Sequence, residues 1–323
     1  MKFSSHFLAA SNLLLLLLLL TSSTFAIPTA QPNAGNLKRI ADSDIKPRDG
    51  SEPLKWDGKY FHEPGGGNEL GHYDIRYFTG NPVTYEERGQ TLYHLVRSYL
   101  TVFRDRNIET WIAHGTLLGW WWNGKIMPWD WDLDTQVSGS TLAWLGANMN
   151  MTLHNYTVSA ADGTEVFREY LLDVNPFSAV RVRGDGQNVI DARWIDVQSG
   201  LFVDITGLSE TDPSARPGIW SCKNYHRYRT RDIYPLRETE FEGVPALVPY
   251  SFDRILTEEY SARALTKTKH EGHIWVPEQR EWIKQEYLAQ HTNSRGRSTP
   301  HIPRGLQAED KPRAGLGNLL RVL

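Results

Sequence analysis

Asp130, Asp132 and Asp134 stand at alternate positions in the stretch KIMPWDWDLD, residues 125–134. In an extended chain, residues two apart share a face, so this spacing lets three carboxylates converge while Trp129, Trp131 and Leu133 point the other way. Like charges that close repel, and one group is forced to take up a proton unless a cation stands between them. Oxygen-only ligands suit Mg²⁺ or Mn²⁺ rather than zinc, and Mg²⁺ keeps positions open for water and phosphate oxygens. Phosphoryl transfer needs such a site. A D-x-D alone also occurs in glycosyltransferases, in calcium loops and by chance. Here Pro128-Trp129 and Trp131-x-Leu133 argue for a strand packed on its other face rather than a solvated edge.

A further carboxylate from a neighbouring strand would complete such a site. Asp196 in WIDV and Asp204 in FVDIT both sit among apolar neighbours, where a charge needs a partner. Spacing does not separate them, and either could instead cap a turn. Upstream, AHGTLLG puts Gly115-Thr116 just after a short apolar strand. A glycine there lets a phosphate approach the backbone, the threonine hydroxyl can donate, and a following helix N-terminus adds amide N–H groups. His114 either polarises a substrate or holds the turn. KHEGH (residues 269–273) has histidines but no nearby cysteine and no helical His spacing, which argues against zinc.

The elements that would position these residues are legible from periodicity. Apolar residues from Tyr85 to Phe103 recur at three- and four-residue steps, predicting a helix that ends near Arg106-Asn107. Trp111–Ala113 reads as a strand leading into a turn and short helix, and WDLDTQVS as a second strand. Residues 140–153 read as a helix and 156–174 as strand and turn. Residues 191–209 alternate around Gln198-Ser199-Gly200 as a hairpin. Residues 251–265 and 278–291 read as helices, with Glu258-Glu259 placed to pair with Arg263. The stretch 53–80 is expected to be an irregular surface lead-in.

The chain has 323 residues, a net charge of −3 and 37 aromatic residues (12 Trp, 14 Tyr and 11 Phe). No basic surplus points to nucleic acid. One cysteine, Cys222, excludes an internal disulfide and a cysteine zinc cluster. Lys2 precedes an apolar run, Phe7–Leu20, shorter than the roughly 20 residues that span a bilayer. Residues 1–26 are therefore expected to be a signal peptide or signal anchor, 27–80 a disordered stem and lead-in, 81–290 the folded domain and 291–323 a disordered tail. The chain is expected in the secretory lumen, Golgi or ER, or secreted if the signal is cleaved without retention. Membrane contact is expected only through the N-terminal segment, and only if it is uncleaved. Asn150-Met-Thr and Asn155-Tyr-Thr are candidate glycosylation sites.

The stretch AHGTLLGWWWNGKIMPWDWDLDTQV resembles the signature of the LicD / fukutin / fukutin-related protein family, H-G-T-L-L-G followed by I-P-W-D-x-D-x-D. LFVDITGL resembles that family's later strand, and FEGVPALVPYSFDRILTEEY its C-terminal segment. Met127 stands where the family usually has Ile, and Trp131 where bacterial members often carry a further aspartate. The resemblance implies an α/β (α+β) fold of the nucleotidyltransferase-like, DNA polymerase β type, a small mixed sheet flanked by helices. It implies Asp132 and Asp134 as the D-x-D, Asp204 as the third acid, Asp130 as an extra aspartate, and Gly115-Thr116 as the phosphate turn.

The function expected is Mg²⁺- or Mn²⁺-dependent transfer of a phospho-sugar or phospho-alcohol from a nucleotide-activated donor to a glycan hydroxyl. Fungal members implicated in mannosyl-phosphate transfer are the nearest likeness. Asp132, Asp134 and Asp204 would hold the metal and Asp130 would take the acceptor's proton. His114, Gly115, Thr116 and Lys125 are candidates on the donor phosphate, with Arg181 and Arg183 as further clamps and Trp120–Trp122 as stacking rings. The alternatives are a D-x-D glycosyltransferase without phosphate transfer and a non-catalytic lumenal glycan-binding or regulatory protein.

Overall fold

In a computed structural model, residues 58–159, 163–210 and 212–293 are described. They lie within the unit Asn36–Leu323. The expected N-terminal signal or anchor, the stem to residue 52 and the part of the expected 291–323 tail beyond residue 293 lie outside the described residues; residues 291–293 close the helix Gln285–Asn293 instead of starting a disordered tail. Among those described, no helix is long and apolar enough to cross a membrane.

Helix α1, Tyr85–Asp105, starts on a capping box: Thr84 accepts from the Glu87 amide, and the Glu87 side chain accepts from the Thr84 amide. Each satisfies a backbone donor the first turn would leave open. Its apolar stripe, Leu92, Leu95, Val96, Tyr99, Leu100 and Phe103, is buried. Truncating one such leucine to alanine costs about 2–5 kcal/mol.

The main sheet holds β1 (Trp111–Ile112), β2 (Asp134–Ser138), β3 (Thr152–Ser159), β4 (Glu165–Val174), β5 (Ala192–Asp196) and β6 (Phe202–Glu210) in the order β1-β2-β6-β5-β4-β3. Strands β7 (Ile219–Ser221) and β8 (Arg227–Arg229) extend it from the end of β6. The sheet is mixed: β2 and β6 run parallel, and the other pairs antiparallel. Helix α2 (His114–Asn123) links β1 to the aspartate segment, and α3 (Gly139–Asn148) follows β2. The turn α4 (Thr230–Ile233), the hairpin of β9 (Arg237–Phe241) and β10 (Val244–Val248), and α5 (Phe252–Tyr260) come next. A three-stranded sheet of β11 (Lys269–His270), β12 (His273–Val276) and β13 (Glu281–Lys284) precedes α6 (Gln285–Asn293).

Alternation divides the main sheet's two faces. On one face, Trp194 meets Tyr99 and Phe103 of α1 at ring distances of 6.1 and 6.2 Å, and its indole donates to Ser98 at 3.0 Å. Thr135 of β2 donates to the Tyr99 hydroxyl at 3.0 Å, which fixes α1 over that same face. Ile195 and Phe202 face the other way and cluster with Leu171 and Tyr77. Asp134 and Asp204 share that second face.

Several expectations need correction. The lead-in is irregular but not superficial: Phe61, Tyr73, Tyr77 and Phe78 are buried, and Asp74 pairs with Arg76 at 2.8 Å. The helix expected over 140–153 stops at Asn148, because β3 already begins at Thr152. In the segment expected to be helical over 278–291, Glu281–Lys284 is a strand. Trp282 pairs across to Trp275, a tertiary contact that overrides local helix propensity. The predicted Glu259–Arg263 pairing fails because α5 ends at Tyr260, where Ser261 turns to φ +66°. The hairpin is as read, with Trp194 opposite Val203 and Gly200 at φ +87° in its turn.

Candidate active site

The aspartate segment is only partly a strand. Asp134 opens β2, whereas Asp130 and Asp132 belong to the loop before it, so the three do not share a strand face as the spacing predicted. The loop is pinned instead by aromatics and one arginine. Buried Arg88 of α1 donates to the Pro128 carbonyl at 3.0 Å and lies 3.8 Å from the Trp131 ring centroid. Trp129 packs on Trp282 at 4.9 Å, and Trp282 on Trp122 at 4.9 Å. Trp122 therefore belongs to a tryptophan cluster, and Trp120 donates to Thr239 at 2.8 Å.

Asp134 and Asp204 are Cα partners on parallel strands, so their side chains leave the sheet together. Thr116, 2 % exposed, sets the start of β2: its hydroxyl accepts the Asp134 amide at 2.8 Å. Asp130 folds back over the first turn of α2. A Cβ added at Gly115 would lie 2.9 Å from Asp130 Oδ2, so only glycine permits that approach. Gly119, one turn on, has the Lys125 carbonyl where a side chain would stand.

The electrostatics are those of an under-neutralised acid cluster. Burial, reinforced by the charges of Asp204, Asp132 and Asp130 against the opposing pull of His114, pushes Asp134 up to about 8. Burial raises Asp204 to about 6 despite Arg193, whose Nε donates to Asp204 Oδ1 at 2.9 Å. Burial and the neighbouring Asp132 raise Asp130 to about 6. Exposed Asp132 pairs with His72 Nδ1. Burial works against the His72 imidazolium, but the Asp132 hydrogen bond and the nearby carboxylates prevail and raise its pKa. Arg193 is also held by Glu63 Oε1 at 2.6 Å.

A hard divalent cation fits these residues in charge and donor chemistry: Asp134 is flanked by acids, and among the described residues no hydrogen-bond donor reaches its carboxylate. Among the described residues no three His, Cys, Asp or Glu side chains already converge as a metal site. The donor chemistry therefore centres on the Asp134–Asp204 pair, with Asp130 and Asp132 on the loop before β2. Asp196 is not part of it: it binds Arg168 at 2.9 Å and Ser199 at 2.8 Å, closing the hairpin turn.

Beside the acids lies a cavity of about 410 Å³ lined by His114, His226, Tyr228, Ile255, Glu259 and Tyr260 among others. His114 opens α2 at φ +49° and lines this cavity while its charge still reaches Asp134. Its Nδ1 meets Glu259 Oε2 at 2.9 Å, and Tyr228 donates to Glu259 Oε1 at 2.6 Å. Gln136, whose oxygen accepts from the Trp111 indole at 3.0 Å, presents its amide nitrogen 3.3 Å from His114 Nε2. Burial disfavours the imidazolium, but the Glu259 hydrogen bond and the charges of Asp134 and Glu259 hold the His114 pKa above its ordinary value. The charges of Asp134, Asp130 and Asp132 all reach the Tyr260 hydroxyl, so cavity and acid cluster adjoin.

Other candidates lie elsewhere. Lys125 is engaged by Glu281, and Arg181 by Asp191 at 2.9 Å. Asn150 accepts the Val174 amide at 2.8 Å, whereas Asn155 is exposed on β3. His270 packs edge-on to Trp129 at 5.0 Å, and His273 lies 3.2 Å from the Tyr85 hydroxyl. Reading the sequence missed His72, Arg193, His226, Tyr228 and Glu259. Only Arg193 carried a signal, a charge inside the buried run Ala-Arg-Trp-Ile-Asp.

Residues 107–251 match the family model described as LicD/FKTN/FKRP, nucleotidyltransferase domain. Over 164 residues the chain is 35% identical to mannosyltransferase regulator 4 of Saccharomyces cerevisiae, a stretch covering 49% of this chain and 14% of that protein. Over 215 residues it is 34% identical to mannosyltransferase regulator 14 of the same yeast, covering 64% of this chain and 21% of that one. The chain thus spans 14% and 21% of the length of these two curated relatives.

Proposed function

With a LicD/FKTN/FKRP-type nucleotidyltransferase domain over residues 107–251 as the premise, we propose that the chain is a lumenal transferase of the secretory pathway that moves a phospho-sugar or phospho-alcohol from a nucleotide-activated donor to a glycan hydroxyl. The observation that carries this reading is the placing of Asp134 beside Asp204 on parallel strands, with Asp130 and Asp132 at the loop that feeds them. Mannosyl-phosphate is the favoured cargo: both relatives are named as regulators of mannosyltransferase, which links them to mannose chemistry.

Asp134, Asp204 and Asp132 would hold Mg²⁺ or Mn²⁺, which when bound neutralises charge on the donor's phosphates. Arg193 opposes the effect of burial on Asp204 and fixes its carboxylate. Thr116 and Gly115 set the approach of the two acid-bearing segments, and the amide end of α2 would hold the donor phosphate. Asp130, folded back over Gly115 beside the metal-holding acids, would take the proton of the acceptor hydroxyl. The acceptor oxygen–phosphorus bond forms, the phosphoanhydride breaks, and nucleoside monophosphate leaves. The Glu259–His114 cavity would receive the acceptor sugar.

A second reading, a regulator of a separate mannosyltransferase, is favoured by the names of both relatives. Incubating the purified protein with a panel of nucleotide-sugars and CDP-alcohols, Mn²⁺ and an oligomannose acceptor separates the readings. Release of nucleoside monophosphate with phosphate kept in the product is the expected result. Nucleoside diphosphate release would mark a glycosyltransferase, and no turnover with any donor would leave the regulator.

A further inference from the structure

A second cavity, of about 310 Å³, opens between the loop after β4 and the β7–β8 strand pair. Arg181, Arg183, Arg216, Lys223, Tyr225 and Arg227 line it. The buried carboxylate of Asp191 serves two of these cations at once, Lys223 and Arg181, each at 2.9 Å. Lys223 also donates to the carbonyls of Phe177 and Asn188, at 3.1 and 2.7 Å. The remaining three, Arg183, Arg216 and Arg227, pair with no acid among the described residues; Arg183 donates only to the neutral amide of Asn224. Asp212, also on the wall, accepts from Ser214 and Ala215 of its own turn, both at 3.2 Å. Five cations thus face a wall with one acid already shared and one already engaged.

Folding gains nothing from that concentration, because unpaired like charges round a hollow repel one another. Tyr225 adds a second anomaly. It stands 64% exposed with its backbone at φ +69°, a left-handed conformation costly for an aromatic residue. The Arg183 guanidinium lies 5.3 Å from its ring centroid. Guanidinium groups grip phosphate through paired N–H donors, and an open aromatic face stacks on a base or on the apolar side of a sugar.

We propose that this cavity is a binding site for a phosphate-bearing ligand, with Arg183, Arg216 and Arg227 on the phosphate and Tyr225 on the attached ring. Nucleotides and phosphorylated glycans share that chemistry. Arg227 also lines the His114 cavity, so the two hollows are neighbours. Binding at this site does not depend on transfer being catalysed by this chain.

The test is calorimetric titration of the intact protein at constant ionic strength in EDTA, so that no metal at the aspartates contributes. The probes are guanosine monophosphate, mannose 6-phosphate, guanosine and mannose. At least one phosphorylated probe is expected to bind at least tenfold more tightly than its neutral counterpart. The double variant R216A/R227A should lose at least tenfold of that affinity, while R104A, an exposed arginine on α1, should bind as wild type. If the guanosine monophosphate affinity is the greater and falls in Y225A, the source is a nucleotide. If mannose 6-phosphate is the tighter, it is a phosphorylated glycan. The proposal is overturned if neutral probes bind equally well, if R216A/R227A is unchanged, if R104A weakens binding as much, or if neither phosphorylated probe binds at millimolar concentration. Failure of the transferase assay with these affinities intact would sink only the catalytic reading.

Discussion

Asp134 and Asp204 stand side by side on parallel strands, Cα partner to Cα partner, and of the two Arg193 pairs with Asp204 alone. The imbalance invites a cation at the Asp134 end. Mn²⁺ at ten times its Kd should stabilise the wild-type protein by about 1.4 kcal/mol, seen as a rise in Tm. In Asp134→Asn the rise should vanish and transfer should drop by roughly 100-fold or more. An unchanged Mn²⁺ response in that variant would remove Asp134 from the metal site.

Gly115 carries no left-handed strain, so Gly115→Ala isolates a single contact. The added methyl would press on Asp130 Oδ2 at 2.9 Å. The expected result is a folded protein, destabilised by about 1 kcal/mol, with at least tenfold lower kcat as Asp130 is displaced. Full activity would show that the position of Asp130 is not critical.

The Glu259–His114 pair has a pH signature. The His114 pKa is raised in the folded state, so its share of stability is present below an unfolded pKa of about 6.5 and fades as pH rises through the folded value. Burial alone would raise Glu259, but the His114 hydrogen bond and charge and the Tyr228 hydroxyl prevail and lower it. Its share is therefore present above about 4.5 and fades as pH falls through the folded value. The pair contributes most between those limits. Glu259→Gln should cost about 2 kcal/mol near pH 5.5 and clearly less at pH 8.5, measured by urea denaturation. Equal losses at both pH values would show that ionisation plays no part in the pair.

His154 predicts an acid limb. Buried against Trp194 at a ring distance of 4.6 Å, it is pushed down to about 4 by burial, with the charge of Arg106 adding to the effect. The unfolded chain binds its proton near pH 6.5, so stability is lost as pH falls from there toward 4. This group accounts for about 3 kcal/mol over that interval. His154→Gln, which can still donate to Thr152, should flatten the limb accordingly. A limb as steep as wild type would assign the loss to other groups.

The local parts of the fold were legible in the sequence: α1 from its three- and four-residue apolar steps, and the β5–β6 hairpin from its alternation. Contacts between distant segments were not. EWIK becomes a strand because Trp282 meets Trp275 and Trp129, none of which local propensity can see. The D-x-D suggested a cation, but not that Asp130 and Asp132 reach the site from a loop. Asp196 and Asp204 were indistinguishable by spacing. Register separates them, since only Asp204 lies beside Asp134. Glu259 looked like an ordinary surface acid, and its tie to His114 rests on a helix that stops one residue later.

The lead-in that binds Arg193 through Glu63 and Asp132 through His72 precedes the family-matched stretch, while Glu259, Tyr260 and Trp282 follow it. A fragment cut at 107 and 251 would carry all four aspartates yet lose His72, which pairs with Asp132, and Glu63, which holds the Arg193 that pairs with Asp204. What is recognisable in this chain is therefore shorter than what is self-sufficient. The smallest piece that can be transplanted with its charge balance intact runs from before Glu63 to beyond Trp282.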